Sequence, residues 1–458
     1  MRPHEAFIAE LNKQIANNSH QKAKQLLQHF DSRRLKALSY FQNLELAKQR
    51  AAYIRWKVTE SLDKYLVDFE ASLLRKGGKV VWAYDAANAL QELDQIITRT
   101  KSKKIVKSKT SLSSEIGLMA HLKGNKDLVV NETGVGDYLI ELTEETPFHP
   151  VLPSVNLQHG ETNKKLNTSI RSSLEADNQE LMSDLREEIR RKYLEADLGI
   201  TGANFLIADA GMVAISENEG NARLCYTFSK THVVLASIDK IIPSISDLEL
   251  FFPLLSTHAT GQQLSAFNTI VGPATREEHD GPQEFIVILI DNGRSSVMAS
   301  QDQRQALTCI GCGACHNVCP VFTASGGTAL YQGAKSGPIG QVINPLQSNL
   351  ESYKHLSNAS TLCGRCTDVC PVKIDLHNHL VRNRHDSVGQ GLEKTGEKLA
   401  WYTWKKFMLN RKNMNRPPSI KGFTLKQFYK NEWGEQREFP KLAEKTFNQL
   451  WREKHGEV

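Results

Sequence analysis

Over residues 1–75 apolar positions recur three and four apart: Leu26, Leu27 and Phe30, then Leu35, Leu38 and Phe41, then Tyr65, Leu66 and Phe69, with charged residues between them. That period predicts an amphipathic, helical N-terminal arm. From 76 to 300 strand and helix patterns alternate. Gly77 and Gly78 open a strand over Lys79–Tyr84, a helix runs from about Asp85 to Thr98, Lys104–Lys107 is a second strand, and a helix starts near Ser113. Leu128–Val130 is a short strand and Asn178–Ala196 a charged amphipathic helix. Phe205–Ala208 and Met212–Ile215 flank Gly211 and read as a hairpin, and His232–Ile238 and Phe285–Ile290 are two further strands. Strands alternating with helices predict an α/β open sheet. The loop over 146–170, with Pro147, Pro150 and Pro153, has the length of a functional loop.

Beyond residue 300 this patterning stops. Gly326, Gly327, Gly333, Gly337, Pro338, Gly340 and Pro345 predict a compact, turn-rich wrapper within 301–385. A helical tail follows over 386–458. It holds four of the six tryptophans (Trp401, Trp404, Trp433 and Trp451), with Phe407, Phe423, Phe428 and Phe447 set among charges. Such a segment is too aromatic to stay solvated, so it is expected to dock on the rest of the chain or on a partner. The chain thus divides into an arm (1–75), an α/β domain (76–300), a cysteine region (301–385) and a tail (386–458).

Composition narrows the class. Of 458 residues, 40% are hydrophobic and 24% charged, which is globular. The longest clean apolar run, Phe285–Ile290, is far short of the about 20 residues of a spanning helix. Met1–Asn18 carries no apolar stretch of the secretory type, which predicts a cytoplasmic protein. The net charge is +6, but 391–458 alone holds 15 Lys/Arg against 8 Asp/Glu. The body is therefore near neutral, and no nucleic-acid partner is expected. The basic tail suits an acidic partner or peripheral association with the inner membrane.

Cysteine placement changes the picture most. Seven of eight cysteines fall between Cys309 and Cys370; Cys225 lies apart. In a large chain this pattern points to metal rather than to disulfides. Cys309, Cys312, Cys315 and Cys319, followed by Pro320, have the C-x2-C-x2-C-x3-C-P spacing of the bacterial ferredoxin run. Two-residue gaps curl three thiolates around one cubane, Gly311 and Gly313 permit the tight turns, and the fourth cysteine serves a second cluster. Ser360, Cys363, Cys366 and Cys370 with Pro371 repeat the spacing, with serine in the first slot. Crossed ligation assigns Cys309, Cys312, Cys315 and Cys370 to a [4Fe–4S] cluster, and Cys319, Cys363 and Cys366 to a second. The second is then [3Fe–4S], or [4Fe–4S] with water, Ser360, another group or a partner's residue on one iron. Two structural zinc ions would take eight ligands, against seven cysteines here.

Other features read as background. Gly327–Ser336 resembles a phosphate loop, but Ala334 intervenes before Lys335 and the glycines are one residue too far apart. Gly134 and Gly136 lack a third glycine. His377 and His379, two apart, do not share a helix face and are expected at the surface. The run Lys101, Lys103, Lys104, Lys107 and Lys109 reads as a solvated face, and Cys225 as a small buried hydrophobe.

Taken together, these residues resemble the lactate utilization protein B family, the iron–sulfur subunit of a bacterial three-component L-lactate oxidation system. Besides the cysteines, the resemblance rests on Gly199-Ile-Thr-Gly202-Ala-Asn204, Glu217-Asn-Glu-Gly-Asn-Ala-Arg223, Asp280–Phe285 and Asp291-Asn-Gly-Arg294. One departure is that Gly134 and Val135 stand where the family more usually has Asp and Leu, within Glu132–Asp137. The resemblance implies an α/β LUD domain, an open sheet like that of ribose-5-phosphate isomerase and CoA-transferases, followed by an α-helical ferredoxin-like two-cluster domain and the helical tail. It also implies a cysteine-rich-domain partner, a second, smaller LUD-domain partner, and an electron acceptor that the residues do not identify. Three roles follow: an electron-transfer subunit with no catalytic residue of its own, an enzyme subunit binding a hydroxy acid at an open iron of the second cluster, or a scaffold.

Overall fold

The computed structural model describes residues 3–16, 19–145, 147–151, 153–154, 157, 166, 168, 178–274, 281–325, 327–331, 335–393, 395–414, 419, 421–423, 426–427 and 441–456. The chain forms two units, Met1–Asp386 and Ser387–Val458. No helix among the described residues is long and apolar enough to cross a membrane.

The first unit opens with four helices, α1 (Pro3–Ala16), α2 (Ser19–Leu38), α3 (Leu44–Glu60) and α4 (Leu62–Arg75). A six-stranded parallel sheet follows, in spatial order β1 (Lys79–Ala83), β10 (Glu284–Ile290), β7 (Thr231–Ser237), β4 (Leu198–Gly202), β2 (Lys104–Lys107) and β3 (Val129–Glu132). Helix α5 (Ala86–Thr100) joins β1 to β2, capped by Asp85, whose carboxylate accepts the Asn88 N–H at 2.8 Å. Central strands of a parallel sheet are covered on both faces, and every residue of β7 is buried.

A second sheet, which the sequence showed only as a hairpin, lies against the first. Its order is β8 (Ile241–Ile242), β5 (Phe205–Ile207), β6 (Met212–Glu217) and β9 (Phe267–Val271). Strand alternation sorts the side chains into layers. On the central strands, Val233, Leu235, Ile286 and Ile288 face Leu93, Ile96 and Ile97 of α5. Val234, Ala236, Val287 and Leu289 face the other way, packing with Phe69 and Leu73 of α4 and with Leu206, Val213 and Ile241 of the second sheet. The far side of that second sheet, Phe205, Ile207, Ala214 and Ile242, meets Phe251, Leu254 and Leu255 of α6 (Leu248–Thr260) and residues of the cysteine region, Ala306, Ile310 and Cys312. The small sheet is the slab on which the cysteine region is built.

In the second unit the described helices are Thr395–Met408, Arg411–Met414 and Phe447–His455, the last opened by a capping box of Thr446 and Gln449. Trp401, Tyr402 and Phe447 are exposed. Trp433, Phe428 and the Phe407 side chain lie outside the described residues, as do Gly326, Gly333, Ala334, Asp280 and most of 146–170.

Candidate iron–sulfur site

A 3-10 turn over Arg304–Thr308 delivers Cys309 to the end of the small sheet. Gly311 and Gly313 then take φ of +78° and +75°, left-handed turns that a side chain would strain, and these turns bring the chain back on itself. Cys315 sits on the short helix Ala314–Val318, Cys319 ends it, and Pro320 begins the next. The second motif repeats this with Gly364 at φ +79° and Cys366 on Arg365–Asp368. Leu362, just before Cys363, also has a positive φ of 53°, a bend rarely imposed on a leucine.

The fold draws the seven cysteines into two neighbouring sets. Cys312 and Cys370 lie within electrostatic reach of each other and of Cys309, and Cys315 of all three. Cys319, Cys363 and Cys366 form the other set, and Cys315 also reaches Cys366. Tyr331, buried, shares a core cluster with Cys319. Cys312, Cys319, Cys366 and Cys370 are buried, Cys309 and Cys315 half-buried, and Cys363 exposed. Backbone N–H groups already point at sulfur: Phe322 donates to Cys319 Sγ at 3.4 Å and Ile374 to Cys370 Sγ at 3.3 Å. Burial pushes the Cys312 thiol up to about 12 and those of Cys366 and Cys370 to about 11, so these thiols ionise only when a metal takes the proton's place. No three His, Cys, Asp or Glu side chains among the described residues close on a single-ion position. Soft thiol donors, supported by backbone N–H groups and glycine turns, are a donor set that fits iron–sulfur clusters.

Basic residues surround the first set. Arg55, 1% exposed, donates to the carbonyls of Thr308 at 3.1 Å, Leu307 at 3.0 Å and Ile241 at 2.5 Å, and to that of Asp239. Lys240 Nζ donates to the Cys309 carbonyl at 3.1 Å, and Lys48 Nζ to that of Asp368 at 3.2 Å. Asp239 is fixed by Arg294 Nε at 2.7 Å, while the rest of that guanidinium grips Glu115 through two bonds of 2.8 Å. Burial pushes Asp239 up, but Lys335, Arg294 and Lys240 outweigh it and hold the carboxyl well below its usual range. Burial likewise draws Lys240 down to about 8. Sequence reading singled out none of Lys48, Arg55, Asp239 or Glu115. The one available signal was a charged pair, Asp239-Lys240, directly after a wholly buried strand.

Two background readings need correction, and that of Cys225 as a small buried hydrophobe stands. His379 is 6% exposed, not at the surface: its Nδ1 lies 2.8 Å from Gln303 Oε1 and its Nε2 3.0 Å from Gln305 Oε1. Lys107 leaves the solvated run and pairs with Glu132 at 2.5 Å, the two side chains 4% and 5% exposed. Lys101, Lys103 and Lys104 are exposed and Lys109 is half-buried. Cys225 packs with Leu185, Ile189 and Tyr193, with Thr133 Oγ1 3.5 Å from its sulfur, in a core separate from the other cysteines. Ser360 is half-buried, and its hydroxyl accepts the Leu362 N–H at 3.2 Å. The other motif residues do structural work here. Glu217 accepts the N–H groups of Ala222 and Arg223, and Asn204 that of Ser216.

The family model for the LUD domain matches residues 66–290, and that for a 4Fe-4S dicluster domain matches 305–374. Lactate utilization protein B of Bacillus thuringiensis (strain Al Hakam), of Bacillus cereus (strain AH187) and of Bacillus anthracis (strain A0248) is in each case 35% identical over 368 residues, covering 80% of this chain and 77% of the relative. A solved structure of a DUF162 family protein from Deinococcus radiodurans is 12% identical and covers 50% of this chain and 98% of its own, with a TM-score of 0.26.

Proposed function

The chain belongs to the lactate utilization protein B family, and from that premise we propose that it is the iron–sulfur electron-transfer component of a system oxidising L-lactate to pyruvate. A role in lactate utilization with iron–sulfur electron transfer follows from the family and from the 4Fe-4S dicluster domain. Cys309, Cys312, Cys315 and Cys370 would hold one [4Fe–4S] cluster. Cys319, Cys363 and Cys366 would hold the other, as [3Fe–4S] or with Ser360, solvent or a partner's residue on the fourth iron. Bound clusters supply one-electron transfer. The chain's own residues bury Cys312 and Cys370 of the first set and Cys319 and Cys366 of the second, and leave Cys363 at the surface, where a redox partner can approach the second. Lactate itself would be oxidised elsewhere in an assembly with a cysteine-rich-domain subunit and a smaller LUD-domain subunit, in the cytoplasm or against the inner membrane. The four segments 1–75, 76–300, 301–385 and 386–458 remain the proposed division of labour.

What supports this reading is the proximity across the two motifs: Cys370 lies near Cys309 and Cys312, and Cys319 near Cys363 and Cys366. Iron and sulfide content with electron paramagnetic resonance on anaerobically purified protein tests it. About seven or eight irons with matching sulfide are expected. Two zinc ions and no acid-labile sulfide would overturn it.

A further inference from the structure

The first cysteine set differs from the second in what surrounds it electrically. Three cations reach it from two elements: Lys48 and Arg55 from α3, and Lys240 from the turn after β7. Lys48 lies within electrostatic range of Cys370, and Arg55 and Lys240 of Cys309. The acidic neighbours are already engaged. Asp239 is bound by Arg294 and has Lys335 4.0 Å away, Glu115 is bound by Arg294, and Glu45 of α3 is paired with Lys373. Around the second set, the cation that reaches Cys319 is Arg365, which is exposed. Gly311 carries no side chain at the point where a Cβ would stand 3.5 Å from Lys240 Nζ, so the ammonium lies flush against the Cys309 loop.

Reduction of a thiolate-ligated cluster adds one negative charge. A fixed positive charge beside it stabilises the reduced form, and does so more strongly where water is excluded than at the surface, where solvent and salt screen it. We propose that Lys240, assisted by Lys48 and Arg55, sets the reduction potential of the first cluster, holding it above the value its burial alone would give, and leaves the second cluster untouched. This rests on the reading that both cysteine sets hold clusters. Lys240 is a positioning residue in this account: it touches the Cys309 backbone and acts through charge.

The test is a redox titration followed by electron paramagnetic resonance on full-length protein, comparing the parent with K240M, K240R and K48M. C363S, which removes a second-set thiol, assigns the signals. At the parent's first-cluster midpoint, K240M is expected to show the reduced-to-oxidised ratio of that cluster fallen about tenfold, or about 59 mV for a one-electron couple. The second cluster should move less than twofold, K240R should restore the parent ratio, and K48M should shift it in the same direction by less. An unchanged ratio in K240M at full iron content overturns the inference, as does an equal shift of both clusters, which a merely structural role would also allow. If K240M loses iron, K48M decides by the same criterion. Parent protein lacking two sets of cluster signals would instead overturn the functional reading beneath it.

Discussion

The two cysteine motifs are near copies in sequence, and they differ in setting at one ligand and in the charges around them. Cys312 and Cys370 of the first set and Cys366 of the second are buried in the core shared by the small sheet, α6 and the helix Gly337–Gln347, with Cys309 and Cys315 half-buried against it. Cys363 stands exposed on a loop bent at Leu362. The difference shows that ligand spacing specifies which cofactor is held, while the surrounding fold specifies what that cofactor can do. A set ringed by cations suits storage of an electron at a defined potential. A set with one ligand, Cys363, at the surface suits exchange with a partner.

The largest break in that comparison should come from the ligands themselves. Cys312→Ser removes a buried thiol from the shared core, and metal binding in such sites is folding free energy. We expect loss of the first cluster and of more than about 5 kcal/mol, enough to exhaust the margin of a typical domain. Cys363→Ser should lose only the second cluster's signal and keep a folded first unit. Iron content and thermal unfolding of both variants check this; equal damage from the two would erase the distinction.

Next in size is the charge network behind the first set. Arg294→Leu leaves Glu115 and Asp239 buried without their shared partner, a loss of about 3–5 kcal/mol. Arg365→Leu, its exposed counterpart beside the second set, should fall within about 0.5 kcal/mol. Denaturant titrations of the two variants measure the gap directly.

Acid should act on buried histidines of the first unit. Burial holds His232 and His258 at about 3, so both are neutral in the folded protein. Unfolded histidine titrates near 6.5, so between these values the unfolded chain binds more protons. The stabilisation is complete above pH 6.5 and declines as pH falls towards 3, by at most about 1.4 kcal/mol per pH unit for each histidine. His232 stacks on Tyr226 and bonds Thr201 Oγ1 at 2.7 Å, so His232→Gln should reduce the slope of the acid limb of stability by at most about 1.4 kcal/mol per pH unit. An unaltered acid limb would mean that other groups carry it.

These contrasts also mark what the chain disclosed before folding. The cysteine spacing and the long apolar strands are local, and β7 and β10 stand where their runs predict. The second sheet was legible only at its hairpin, because β8 is two residues long and β9 is half-buried at every position, without alternation. Burial of polar residues was not legible at all, because their partners are remote. His379 meets a residue 76 positions away, Lys240 one 69 away, Arg55 one 253 away and Lys48 one 320 away. A lysine in a polar run reads as solvated until the fold supplies Glu132.

The smallest structural change makes the finest cut. Ser360 occupies the first slot of the second motif, and its backbone is already fixed: Arg384 donates to its carbonyl at 2.8 Å and to that of Ser357 at 2.9 Å, and its hydroxyl accepts from Leu362. Ser360→Cys replaces oxygen with sulfur on the same Cβ, at a half-buried position, so stability should change by less than about 0.5 kcal/mol. A thiol ionises far more readily than a hydroxyl, so the variant should complete four-thiolate ligation at the second set. If the natural cluster lacks an iron, the variant gains about one iron per chain and loses the signal of an oxidised three-iron centre. If the natural cluster has solvent on its fourth iron, iron content stays constant, and cyanide or a hydroxy acid added to the parent, but not to the variant, alters the spectrum. The first set should be indifferent in both cases. A first-cluster spectrum that changed with residue 360 would mean that the two sets are not independent centres, and that their contrasting surroundings act on one coupled unit.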